Sequence, residues 1–71
     1  MNVIVIKKEV KIPFVKRVLL EGARVEVIGK CENNDVVYTK VKVLYSPRSK
    51  DPKVAYAKIG DTYAITADSL K

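Results

Sequence analysis

Along most of this chain hydrophobic and polar positions alternate with the two-residue rhythm of β-strands. Val3 to Ile6 is a short apolar run that predicts a first strand, followed by the charged step Lys7-Lys8-Glu9. Val10-Lys11-Ile12 predicts a short second strand ended by Pro13, because proline cannot donate to a ladder. Arg24 to Ile28 alternates again, and Gly29-Lys30 with Glu32-Asn33-Asn34-Asp35 predicts a polar turn. Val36 to Tyr45 carries the longest strand signal. Val37, Thr39, Val41, Val43 and Tyr45 fall on one of its faces; Tyr38, Lys40, Lys42 and Leu44 fall on the other.

Two segments read differently. Pro13 suits the first turn of a helix, Gly22 the residue past its end, and Phe14, Val18 and Leu19 lie near one helical face, predicting a short helix within residues 13–21. The rival is an extended segment leading to a turn at Glu21-Gly22. Lys53 to Ile59 and Thr62 to Ala67 flank Gly60-Asp61, a two-residue hairpin signal. That hairpin would put Val54, Tyr56, Tyr63 and Ile65 on a core face and Ala55, Ala57, Thr62, Ala64 and Thr66 on a flat one. Asp68-Ser69-Leu70 would close the chain with Leu70 tucked beneath.

Length and composition narrow the class. The 71 residues suffice for one small, mostly β domain, residues 1–71, with a modest core. One cysteine, Cys31, and no histidine exclude an internal disulfide and a Cys/His zinc site. The single thiol fits a reducing, cytoplasmic setting, where it reads as a small hydrophobe at a strand end. No apolar stretch approaches the roughly 20 residues that span a bilayer, so no membrane partner is expected. The Val3–Ile6 run is too short for a signal peptide's apolar region and has no basic residue before it. A domain of this size stands either as a monomer or as a homodimer.

The order of elements from Gly22 to Leu70 resembles the SH3-like small β-barrels, a group that includes KOW and Tudor-type modules. The residues that carry this are Leu20-Glu21-Gly22-Ala23-Arg24-Val25-Glu26-Val27, the long central strand, Gly60-Asp61, and Tyr63-Ala64-Ile65-Thr66-Ala67-Asp68-Ser69-Leu70. The resemblance implies an all-β fold, a five- to six-stranded SH3-like barrel with the short helix as an addition. No tryptophan or aromatic-rich groove is present for proline-rich peptides. A second resemblance, to AbrB-type swapped-hairpin DNA binders, rests on Ile12-Pro13, the short helix and Gly22-Ala23-Arg24-Val25-Glu26-Val27. Its spacing is shorter than that family's, and a further hairpin follows Tyr45.

Catalysis has little to stand on, and no enzyme activity, cofactor or metal is expected. Without histidine there is no Ser-His or Cys-His system. Gly22, Gly29 and Gly60 are too far apart to cradle a phosphate. The acids Glu32, Asp35, Asp51, Asp61 and Asp68 sit in expected turns, where they accept backbone hydrogen bonds.

Charge changes the picture more. Fourteen basic residues against eight acidic ones give a net charge of +6, spread along the chain. Such a field draws anions without selecting among them. Lys40 and Lys42 share a strand face with Tyr38, and Arg48, Lys50 and Lys53 lie in or beside the next loop. If that loop folds over the face, five cations and one aromatic ring converge on a site for phosphates and a stacked base. Lys16, Arg17 and Arg24 form a second basic group near the expected helix. The expected function is therefore a nucleic-acid-binding barrel, contacting mainly phosphates with low sequence selectivity, regulatory or architectural, with DNA favoured over RNA. The alternative is a protein-interaction module that docks on and modulates a larger acidic protein, since eight acids interrupt the basic surface. Against both stands the plain reading that alternating lysines keep an outer strand face soluble.

Overall fold

The computed structural model describes residues 2–70. Its strands are β1 (Val3–Val5), β2 (Val10–Lys11), β3 (Val18–Leu19), β4 (Arg24–Asn33), β5 (Val36–Tyr45) and β6 (Thr62–Ile65); a 3₁₀ turn, Ala67–Leu70, follows. β1, β4, β5 and β6 form a four-stranded antiparallel sheet in the order β1-β4-β5-β6, and β2 and β3 pair in a separate two-stranded sheet. Val25, Val41, Val43 and Ile65 on the larger sheet meet Val10 and Leu19 on the smaller, and Ile6, Ile12, Ala23 and Ala57 complete the buried cluster. Leu70 packs against it from the closing turn, as the sequence pattern anticipates.

The mostly β character holds, but the SH3-like barrel does not. β1 and β6 are the two outer strands of an open sheet, and the second sheet is separate from it. β2 and β3 are two residues each, too short to carry a ladder around to either edge. The swapped-hairpin reading falls with its helix. Residues 13–21 are not helical: Val18 and Leu19 pair with Lys11 and Val10 as strand β3, and the rival extended reading is the correct one. A helix of about two turns is marginal without packing, whereas β3 buries Leu19 completely opposite Val10. Phe14, at φ 69, also lies in the left-handed region that a helix cannot include.

The 53–67 hairpin is likewise absent. Residues 55–57 run beside β3 instead: the Val18 amide donates to the Ala55 carbonyl (2.9 Å), the Ala57 amide donates to the Val18 carbonyl (2.8 Å), and Tyr56 bridges Val18 in parallel. β6 pairs with β5, with Thr39, Lys40, Val41 and Lys42 opposite Ile65, Ala64, Tyr63 and Thr62. This arrangement satisfies both the far edge of β5 and the free edge of β3, which one local hairpin would have left open. Ala57 is consequently buried in the core and not on a flat outer face.

The β4–β5 hairpin organises everything else. Its turn is Asn34-Asp35, with both residues at positive φ (52 and 64), the geometry that two-residue hairpins favour. β4 runs on to Asn33, beyond the expected end at Ile28. Alternation breaks there because the register shifts between Val27 and Gly29. Val27 pairs with Val41 and Gly29 with Lys40, so Ile28 is the unpaired residue of a bulge.

Candidate nucleic-acid interface

The register of the larger sheet fixes what lies beside each candidate lysine. Val41 and Val43 point into the core, so Lys40 and Lys42 point out of the opposite face, and both are exposed. One row across that face reads Gly29, Lys40, Ala64. The next reads Val3, Glu26, Lys42, Thr62. Directly opposed residues on adjacent strands stand about 5 Å apart at Cβ. Lys42 therefore has a carboxylate as its cross-strand neighbour, while Lys40 has only glycine and alanine. Apart from its chain neighbours Ile28 and Lys30, a side chain built at Gly29 would meet no atom within 4 Å, so the cross-strand approach to Lys40 is low.

Tyr38 follows the same alternation two residues before Lys40, but it is half-buried. Its ring packs edge to face against Phe14, with centroids 5.3 Å apart. Phe14 was placed by sequence pattern on a helix face as a packing residue; the structure leaves it 67% exposed. An aromatic residue directly after a proline, in a segment too short for a stable helix, was the available sign.

The loop after β5 does not join Lys40 and Lys42. The Ser46 hydroxyl donates to the Ala57 carbonyl, and Pro47 packs over Gly22. Asp51 closes the middle of the loop: its carboxylate accepts from the Lys53 amide (2.9 Å), and its carbonyl accepts from the Val54 amide (3.1 Å). The chain then enters the segment beside β3. Arg48, Lys50 and Lys53 are exposed in the stretch that runs from Ser46 to the segment beside β3. The loop that carries three of the five cations is thus anchored at its start to Ala57 and continues into the segment bonded to β3, while Lys40 and Lys42 stand in the larger sheet. Of the second basic group, Arg17 donates to the Tyr56 carbonyl (3.2 Å), Lys16 is exposed, and Arg24 lies in β4 between Val5 and Tyr45.

Cys31 is a half-buried free thiol opposite Tyr38 on the hairpin. Among the described residues Tyr63 is the group whose ionisation is displaced: burial pushes its phenol above the ordinary value, the Lys58 amide opposes this, and the Asp61 carboxylate at 3.1 Å reinforces it. Among the described residues no group of three or more Asp, Glu or Cys side chains is placed to hold a metal, and no helix is long and apolar enough to cross a membrane.

What the fold and this face define is a small open-sheeted β unit with a basic outer surface. The chain is similar to DNA-directed RNA polymerase subunit beta'' of Phaeodactylum tricornutum (strain CCAP 1055/1), with 38% identity over 64 residues. That stretch is 90% of this chain and 4% of the polymerase subunit, so the chain spans a small fraction of the relative it matches. No protein-family model matches, and no solved structure does.

Proposed function

We propose that the protein associates with nucleic acid through the outer face of its four-stranded sheet, by phosphate contacts from Lys40 and Lys42. The observation that carries this is the row Gly29-Lys40-Ala64, a lysine with no side chain on either side tall enough to keep a phosphate backbone away. The net charge of +6 supplies the long-range attraction. The similarity to a stretch of a DNA-directed RNA polymerase subunit supports a nucleic-acid setting without specifying a contact.

The test is fluorescence anisotropy with labelled oligonucleotides over a salt series. Each phosphate contact contributes about 0.7 to 0.9 to the log–log salt slope. Replacing Lys40 and Lys42 by alanine should lower that slope by about 1.5 to 2. The same change at Lys50 and Lys53 should leave it nearly intact. Equal losses from both pairs would refute the assignment to this face.

The second reading, a protein-docking module, is favoured by one observation. The far half of the β4–β5 hairpin exposes Val36 and Val37. Nuclease treatment of a lysate before affinity capture separates the readings: a stoichiometric protein that stays bound afterwards supports docking.

A further inference from the structure

The aromatic pair Phe14–Tyr38 has a placement that packing alone does not require. Ile12 is buried, and its amide donates to the Arg17 carbonyl (3.1 Å), which closes the loop between β2 and β3. To seat Ile12 inward, the chain turns at Pro13-Phe14, with Phe14 at φ 69. Bulky residues rarely adopt that conformation, and polar or glycine residues serve such turns more readily. Phe14 is also the most exposed of the large hydrophobic side chains, at 67%. It is held there by contact with Tyr38, whose neighbour two positions along the same strand face is Lys40. Lys16, two residues after Phe14, is exposed as well. An exposed ring braced by a second ring, with an exposed lysine two positions along each segment, has the parts of a base-stacking platform.

We infer that Phe14, braced by Tyr38 beside Lys40, stacks an unpaired nucleobase, so that the ligand of this surface is single-stranded nucleic acid. This rests on the nucleic-acid reading above and adds a strand requirement to it. In a duplex the base faces are already covered by their neighbours, and Phe14 has nothing to stack on. The acidic hairpin end, Glu32 and Asp35, lies beyond Tyr38 and repels phosphates. The strand therefore leaves the aromatic pair toward Lys40 and Lys42 and away from the turn.

The experiment measures anisotropy of the full chain with four probes of about twelve nucleotides, within the span that a small binding surface covers. They are oligo-dT, oligo-U, an abasic oligomer with the same sugar-phosphate backbone as oligo-dT, and duplex DNA. Oligo-dT or oligo-U should bind about tenfold more tightly than the abasic oligomer, the size expected for one stacked base. Whichever of the two is tighter identifies DNA or RNA as the source of the strand. Phe14→Ala should bring the base-bearing probes down to the abasic level and leave the abasic probe unchanged. Phe14→Tyr should retain the difference, which shows that a loss in Phe14→Ala is not misfolding. K40A/K42A should weaken base-bearing and abasic probes alike. Equal affinity for oligo-dT and the abasic oligomer, or duplex DNA bound as tightly as oligo-dT, overturns the stacking site and leaves the phosphate reading standing. Absence of binding by all four probes overturns both.

Discussion

The two halves of the β4–β5 hairpin are built from equally good strand formers and end in different environments. In the near half, β1 flanks Arg24 to Glu26 and β6 flanks Thr39 to Lys42. There Val25 and Val41 are fully buried. In the far half, residues 31–33 and 36–38 pair only with each other, and Val36 and Val37 remain 45% and 56% exposed. Strand propensity made both halves extended; only flanking strands made one of them core. Stability is therefore concentrated at one end of the hairpin, while the lysine row stands where that rigid end begins. Lys40 lies between Thr39 and Val41, both buried, and is aimed outward by their packing.

The comparison is most directly broken by truncating one valine in each half. Val41→Ala should cost about 2 kcal/mol, from lost transfer energy and the cavity left behind. Val37→Ala should change stability by less than about 0.5 kcal/mol. Urea denaturation of both variants checks this, and equal costs would mean that the far half is packed as tightly as the near one. Next in size is the turn. Asn34→Val forces a β-branched residue to φ 52 and should cost about 1 kcal/mol, because few residues other than glycine, asparagine and aspartate accept that region. Asp35→Gly should be neutral or slightly stabilising by the same measurement.

A smaller effect sharpens the contrast by pH. Tyr63 in β6 pairs with Val41 and belongs to the near half. Its phenol is held above the ordinary value, mainly by burial. A raised folded value favours the neutral phenol, so the contribution is complete below the unfolded value of about 10 and is lost as pH rises through the folded one. Tyr63→Phe should therefore flatten the alkaline end of the stability profile relative to the native chain. Parallel profiles above pH 10 would contradict it. The smallest effect concerns Glu26, the cross-strand neighbour of Lys42. Glu26→Gln should strengthen oligonucleotide binding by about twofold at low salt, a gain that disappears as salt screens the pair.

How much of this was written in the chain depends on where the controlling contacts lie. The extent of β5 was legible from Val36 to Tyr45, and its alternation holds from Tyr38 to Leu44; at its ends Val37 and Tyr45, expected on the core face, are exposed, Tyr45 past a register shift that leaves Leu44 unpaired. β4 was legible only to the bulge at Ile28, where an extra residue shifts the phase and makes one strand look like a strand and a turn. Residues 13–21 and 53–59 misled for a shared reason. Each carries a plausible local signal, yet each is shaped by the other: Val18 and Tyr56 meet across 38 positions of sequence. Open sheets instead of a barrel follow from the same long-range pairing. Of the candidate site, the lysine pair and its face were readable from period alone. The path of the loop that carries Arg48, Lys50 and Lys53 was not, because it depends on Ser46 anchoring to Ala57 and on Ala55 docking beside β3. Phe14 reads from the sequence as a packing residue because its exposure results from a turn that buries Ile12.

The central claim is that the outer face of the four-stranded sheet, with Phe14 at one end, meets the ligand, while the hairpin turn and the loop that carries Arg48, Lys50 and Lys53 do not. The most direct measurement follows backbone amide shifts by NMR while oligo-dT or oligo-U is titrated into the full chain. The account predicts that changes concentrate at Gly29, Lys40, Lys42, Thr62 and Ala64, with Phe14 and Tyr38 at one end, and that Glu32 to Val36 stay still. Changes centred instead on Arg48, Lys50 and Lys53, or confined to the hairpin end, would contradict it.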